Sequence, residues 1–222
     1  MKTNEDLQKD VQDAIKWEPL LNAAEIGVTA KDGVVTLTGV VDSYAKKVEA
    51  ENATKTVSGV KAVVEKIEIT FGSTWNKSDN EIANEIVSAF KWNWEIPGSK
   101  VKVKVEDGWV ILEGELTWNY QKSAVQKSVS NIVGVKGVTN NISVKPDVND
   151  KIEKEEIERA LLRNWSMHDD IEVYVSENKV TLAGTVGSLY QKDEAERIAW
   201  NAPGVKAVNN ELVIEYDHTF VD

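Results

Sequence analysis

The chain contains no cysteine, and only two histidines, four prolines and two methionines occur in its 222 residues. Without cysteine, disulfides, thiolate nucleophiles and cysteine metal sites are excluded, so stability must come from packing. No uninterrupted apolar run approaches the 18 residues that a membrane-spanning helix needs. The sequence also lacks a His-Glu-x-x-His zinc motif, a phosphate-binding loop and a Gly-x-Ser-x-Gly nucleophile motif.

The two histidines give little basis for catalysis. We interpret His168, Asp169 and Asp170 as a polar loop before a strand rather than as a metal corner, and His218 as part of a tail. Carboxylates crowd one helix start, where they complement the helix dipole and form a solvated face: Glu153, Glu155, Glu156 and Glu158. We therefore expect no catalytic residue, no metal and no cofactor, and a protein that is not an enzyme.

Acidic residues outnumber basic ones by 37 to 26, which gives a net charge of −11. Residues 150–222 hold 16 acidic and 8 basic residues, whereas residues 79–149 hold 9 and 8, so the last third contains most of the excess. This charge opposes binding to a nucleic-acid backbone and simple attraction to anionic lipid. We expect no nucleic-acid partner.

A threefold internal repeat organises the chain. One glycine ends a β-rich stretch in each copy, and a second follows 20 residues later and opens Gly-Val-Lys-x-Val: Gly39 and Gly59, Gly114 and Gly134, Gly184 and Gly204. The period of 75 and then 70 residues predicts three tandem small domains, at 4–70, 79–146 and 151–216. We interpret these glycines as structural, at strand ends and close helix contacts.

Each repeat shows the same order of hydrophobic patterns. An amphipathic helix precedes two alternating strands, which are joined by Asp32-Gly33, Asp107-Gly108 or Glu177-Asn178, and a second helix and a third strand follow. Asp-Gly predicts a tight type I′ hairpin, which sets the register and places Ala30, Val105 and Val175 opposite Val35, Val110 and Val180 on the inner face. The predicted class is α/β: three α-β-β-α-β sandwich domains, each a three-stranded mixed sheet with two helices on one face.

Six short motifs in register resemble the BON domain family, named for bacterial osmotically inducible protein Y and nodulation proteins. They are DGVVTLTG at 32–39 with VSGVKAV at 57–63, DGWVILEG at 107–114 with VGVKGV at 133–138, and ENKVTLAG at 177–184 with PGVKAV at 203–208. The third copy has Asn178 in place of the hairpin glycine, and asparagine also tolerates positive φ. The resemblance implies an α/β fold, non-enzymatic binding, association with phospholipid or the cell envelope, and a link to osmotic stress.

Tryptophan is concentrated in the second repeat. The hairpin register places Trp109 and Ile111 on the outer sheet face beside Lys102 and Lys104, and Trp118 follows in the same repeat. An aromatic face flanked by lysines suits a membrane interface or a protein contact. The plainer hypothesis is that this face packs against another repeat or a second copy. Near the first-helix ends stand four more tryptophans, which we interpret as hydrophobic closures of the core: Trp17, Trp92, Trp94 and Trp165.

Two functions remain open at this point. The first is a stress-related envelope protein that contacts phospholipid through the second repeat, and the second is a soluble scaffold or chaperone-like protein that binds protein partners or itself. The first residues contain no apolar export signal, so we expect a cytoplasmic protein. If a signal peptide has been removed, the periplasm is the alternative.

Overall fold

The computed structural model describes residues 3–72, 77–146, 152, 154–164 and 170–215. The first helix of each repeat has an apolar stripe at intervals of four residues, as in Ile82, Ile86 and Phe90, which are at most 4% exposed. Ser78 begins the second of these helices by accepting the backbone N–H of Glu81, whose carboxylate accepts the Ser78 N–H at 2.8 Å. The three first helices are α1 (Asn4–Trp17), α3 (Asp79–Trp92) and α5 (Lys154–Leu162).

A two-residue turn joins the first two strands of each repeat into an antiparallel hairpin. Its first residue is left-handed, with φ of 52° at Asp32, 52° at Asp107 and 53° at Glu177. The second residue also has positive φ at Gly33 and Gly108 but not at Asn178, so the expectation of positive φ at Asn178 is wrong. The predicted register is confirmed in all three copies, because Ala30 pairs with Val35, Val105 with Val110 and Val175 with Val180. The strands are β1 (Ile26–Lys31), β2 (Val34–Val41), β4 (Val101–Glu106), β5 (Trp109–Leu116), β7 (Ile171–Ser176) and β8 (Lys179–Val186).

The second helix of each repeat leads to a third strand beside the central one. β6 (Gly137–Val144) lies parallel to β5, and β9 (Ala207–Asn210) lies parallel to β8, as the strand-helix-strand connection requires. The third strand of repeat three is interrupted at Glu211 and Leu212, and its continuation, β10 (Val213–Ile214), also pairs with β8. These elements are α2 (Tyr44–Thr56), β3 (Ala62–Ile69), α4 (Asn119–Ser130), β6 (Gly137–Val144), α6 (Leu189–Trp200), β9 (Ala207–Asn210) and β10 (Val213–Ile214).

The core of each repeat lies between the inner sheet face and the two helices. Central-strand residues on that face are fully buried, as Leu37, Leu112 and Leu182 show with 0% exposure. Residues one position along point to the other face and are mostly accessible. The predicted mixed sheet with both helices on one face is therefore confirmed, and the outer sheet face is open to contact in each repeat.

The glycine that precedes the end of each central strand lies under a backbone carbonyl. A Cβ atom built on Gly114, at φ 148°, would stand 2.2 Å from the Lys100 carbonyl oxygen. The equivalent distances are 2.0 Å at Gly39 and 1.9 Å at Gly184. No side chain fits such a position without separating the first two strands, which accounts for the recurrence of glycine there.

Contacts group the chain into two compact units. One comprises Met1–Val40, Val48–Glu68 and Val148–Asp222, and the other Val41–Lys47 with Ile69–Asp147. The first unit thus combines repeats one and three, where Lys55 of α2 lies 3.1 Å from Asp193 of α6. In the second unit, Tyr44 packs against the core of repeat two. The boundaries of the compact units therefore differ from the boundaries of the three sequence repeats.

Candidate functional site

The outer sheet face of repeat two holds four of the residues that the sequence singled out. Trp109 is 55% exposed and Ile111 is half-buried, and Ile111 pairs across the hairpin with Lys104. Lys102 is exposed two residues before Lys104 on β4. Trp118 does not share this face, because it follows the end of β5 as the half-buried N-cap residue of α4.

Trp109 is built into the sheet by its neighbour on β6. The two strands pair Trp109 with Gly137, and a Cβ atom on Gly137 would stand 2.2 Å from Cζ3 of the indole. The ring therefore covers the glycine and packs on its backbone. Repeat three has Lys179 opposite Ala207 at the same place, so the tryptophan and the glycine form a matched pair that is specific to repeat two.

Charges on this face are balanced. Glu106 accepts a hydrogen bond from Lys104 at 2.9 Å. This hydrogen bond and the negative charge of Glu106 raise the pKa of Lys104. Lys102 pairs across the hairpin with Glu113. Each of the two lysines therefore has a carboxylate near it on the same face, and this opposite charge weakens any attraction to an anionic surface.

The tryptophans near the first-helix ends are in the solvent, so their interpretation as core closures is wrong. Trp17 is 87% exposed, and Trp92 and Trp94 are each 88% exposed. Phe90 and Ile96 fill the core of repeat two instead, at 4% and 5% exposure. Trp165, the fourth of this group, lies outside the described residues.

Four lysines lie close in sequence to the exposed pair Trp92 and Trp94. We call residues 91–104 the basic tryptophan segment; it runs from the last turn of α3 through the connection into β4. Its lysines are Lys91, Lys100, Lys102 and Lys104, and its only acidic residue is Glu95. In a chain of net charge −11, this segment has a net charge of +3 along the sequence, although Lys102 and Lys104 face Glu113 and Glu106 on the outer sheet face. It therefore combines exposed indoles with local positive charge.

An apolar groove of about 590 Å³ lies beneath this segment, between α3 and β4. Phe90, Ile96, Val101 and Val103 line it together with Trp94. β4 is an edge strand, since the sheet order is β4-β5-β6. Apolar surface thus continues from the exposed indole of Trp94 to the edge of the sheet.

Sequence reasoning missed the basic tryptophan segment although the signal was present. Trp92 follows the core residue Phe90 by two positions, and two helical residues are about 200° apart around the axis. The same applies to Trp17, two positions after the buried Ile15. Helical periodicity therefore already places both indoles opposite the core, and the density of lysine between 91 and 104 marks the rest.

Among the described residues, no three His, Asp or Glu side chains are grouped closely enough to hold a metal ion. His168, Asp169 and His218 lie outside the described residues. Within the described ranges, none of the helices has both the length and the apolar character needed to cross a bilayer.

Comparison with known sequences identifies one family. The BON domain model matches residues 3–70, 78–146 and 149–216. Osmotically-inducible protein Y of Escherichia coli (strain K12) is 29% identical over 129 residues, which are 56% of this chain and 64% of that protein. An uncharacterized protein in the gshII 5′ region of Anaplasma centrale is 47% identical over 47 residues, 21% of this chain and 31% of that protein. The matches span less than two thirds of either relative.

Solved structures of CdsD, a structural protein of the type III secretion system of Chlamydia trachomatis, align with most of the chain. One covers 96% of this chain and 100% of the CdsD C-terminal domain, at 17% identity and a TM-score of 0.27. A second covers 96% and 94% at a TM-score of 0.25. Scores this low support no comparison of arrangement. The three family matches cover most of the sequence, and the chain therefore belongs to the BON domain family, with three BON domains in tandem.

Proposed function

We propose that this chain is a non-enzymatic, stress-related binding protein that associates with phospholipid surfaces through the basic tryptophan segment of repeat two. The observation that supports this most directly is the 88% exposure of both Trp92 and Trp94, in a segment that also contains Lys91 and Lys100. The link to stress rests on the similarity to osmotically-inducible protein Y. Which compartment contains this membrane surface depends on whether the protein is exported.

Both components of this segment suit a membrane surface. Indole rings concentrate at the interface between water and hydrocarbon, where an apolar ring and a polar N–H are both accommodated. Lysines near an anionic leaflet each contribute about 1 kcal/mol. Lys91 and Lys100 are the two lysines of this segment that do not share the outer sheet face with Glu106 and Glu113. Screening over about 8 Å at physiological salt makes the local charge more important than the total.

The outer face around Trp109 is less suited to lipid and better suited to protein. It lies toward the other end of β4, since five residues of strand extend about 17 Å. Glu106 and Glu113 lie beside Lys104 and Lys102 on this face, and the indole of Trp109 packs on the backbone of Gly137. A rigid aromatic residue with balanced charges is typical of a protein contact. The alternative function is therefore a scaffold or chaperone-like protein that binds partners, or a second copy, through this face.

Co-sedimentation with vesicles of increasing phosphatidylglycerol content tests the proposal. We expect the full chain to partition onto anionic vesicles, more strongly at low salt, and the double variant Trp92→Ser, Trp94→Ser to lose about tenfold or more, because two indoles no longer enter the interface. Trp17→Ser is the matched control, since Trp17 is equally exposed at the equivalent position and residues 16–31 have no net charge.

The outcomes separate the two surfaces. Loss of binding in Trp109→Ser, with the Trp92 and Trp94 variant unaffected, would move the lipid contact to the outer sheet face. Equal losses in the Trp17 variant and the double variant would show that exposed indole alone is responsible. No partition at any lipid content would refute the lipid function and favour protein partners.

A further inference from the structure

All three arginines of the chain line one cleft. The sequence has 26 basic residues, and only Arg159, Arg163 and Arg197 are arginine. They meet in a cleft of about 810 Å³ between α5 and α6 of repeat three. Arginine differs from lysine in presenting a flat fork of donors that matches the oxygens of phosphate and carboxylate groups. Their convergence in the most acidic repeat calls for a reason.

The geometry leaves donors available in the cleft. Arg159 and Arg163 are four residues apart, and the Arg163 N–H donates to the Arg159 carbonyl at 3.2 Å, so both side chains leave the same face of one helical turn. Arg159 uses its Nε–H on the Glu155 carbonyl at 3.1 Å. Arg163 makes no side-chain hydrogen bond or ion pair with any described residue. Like charges at this spacing are destabilising in a helix unless an anion joins them.

The third arginine is held from the opposite helix. Arg197 on α6 donates from Nε and from a terminal nitrogen to the two oxygens of Glu194, each at 2.6 Å. The hydrogen bond that Arg197 donates to Glu194 is the main cause that raises the pKa of Arg197. This pair fixes the position of the guanidinium and leaves its remaining donors for a ligand. Glu156 is the one carboxylate among the residues that line the cleft.

The other two repeats show that the fold does not require these charges. The core positions Leu7, Ile82 and Ile157 define the alignment of the first helices, and Ala50, Val125 and Ala195 that of the second. The residues equivalent to the three arginines are Lys9, Asp13 and Asn52 in repeat one and Asn84, Ser88 and Lys127 in repeat two. Repeat three alone has three cations there, although it is otherwise the most acidic.

We propose that this cleft binds a small phosphate-bearing molecule, with Arg159, Arg163 and Arg197 around the phosphate. Three guanidinium groups against two carboxylates, Glu156 in the lining and Glu194 on Arg197, leave the cleft a local charge of +1. The volume lies in the range of small-molecule sites. Ala160, Ala202 and Pro203 add apolar lining on which the body of a ligand can rest. A soluble molecule such as a mononucleotide and a lipid headgroup both present this phosphate, and the chemistry at the arginines is the same.

Isothermal titration calorimetry of the full chain tests this site, with adenosine monophosphate, inorganic phosphate and adenosine as probes. We expect saturable binding of adenosine monophosphate, weaker binding of inorganic phosphate and none of adenosine. Because a hydrogen bond to a charged group contributes about 1.5–3 kcal/mol, Arg163→Gln should weaken binding about tenfold or more. Arg163→Lys keeps the charge but loses the fork, and should give an intermediate affinity.

Controls separate this site from the basic tryptophan segment. Lys179→Gln removes an exposed charge from the same repeat and should leave binding unchanged. The double variant Trp92→Ser, Trp94→Ser should also leave the binding of adenosine monophosphate unchanged. If the soluble probes fail but phosphatidylglycerol vesicles bind in an Arg163-dependent manner, the phosphate comes from a lipid. No binding of any probe, or full binding by Arg163→Gln, would overturn the proposal.

Discussion

Replacing Gly114 by alanine should selectively destabilise repeat two. The new Cβ would stand 2.2 Å from the Lys100 carbonyl oxygen, and the residue would keep a φ of 148° that side chains rarely adopt. Since the colliding atom belongs to the backbone, β4 and β5 must separate at this point. The strained backbone costs about 1–3 kcal/mol and a lost hydrogen bond about 1 kcal/mol, which gives about 3 kcal/mol in total.

Gly98→Ala provides the matched control in the same repeat. A Cβ there would meet only the Cβ of Phe90, at 3.4 Å, which is ordinary contact. Where the backbone suits alanine, this change reduces the entropy of the unfolded chain and stabilises by about 0.4–1 kcal/mol. The two variants make the same chemical change, so their difference isolates the geometry at Gly114.

Hydrogen-exchange mass spectrometry is the suitable assay, because a chain of three repeats need not unfold in one step. Peptides from β4 and β5 should lose about 100-fold in protection in Gly114→Ala, the factor that corresponds to about 3 kcal/mol. In a domain of this size the local melting temperature should fall by about 12–24 °C. If the two variants differ by less than about 0.5 kcal/mol, the close approach of β4 to this glycine is not a constraint.

Two further predictions concern charge. Burial disfavours the charged form of Lys55, but the negative charges of Asp193 and Glu51 outweigh burial and raise the pKa of Lys55. A double-mutant cycle of Lys55→Met and Asp193→Asn should give a coupling energy of about 0.5 kcal/mol in low salt. The absence of coupling would mean that this contact does not stabilise the first unit. Hydrogen bonds to the backbone N–H and then the hydroxyl of Ser78 lower the pKa of Glu81. The carboxylate of Glu81 therefore stabilises the folded state above its unfolded pKa of about 4.3, and this stabilisation is lost as pH falls through the folded pKa. In urea titrations, the difference in free energy of unfolding between the native chain and Glu81→Gln should therefore shrink between pH 6 and pH 3. A difference that stays constant with pH would contradict the capping interaction.

The sequence determined the repeats, the element order and the hairpin registers by itself. These depend on local rules: a two-residue turn with a left-handed first position, such as Asp107, fixes which residues face each other, and alternation fixes which face is buried. The periodicity of α3 likewise determines that Trp92 lies opposite Phe90. Tryptophan is an aromatic residue that is often buried, but its position around the helix decides whether it faces the core.

Tertiary structure decided the features that join distant parts of the chain. Gly137 stands under Trp109 only because β6 returns beside β5, and neither residue alone predicts the pair. Arg163 and Arg197 are separated by 34 residues, and they line one cleft because α5 and α6 pack on the same sheet face. Local propensity acts over a few residues, but a binding site depends on side chains that approach through space, and only the packed sheet and helices specify that approach.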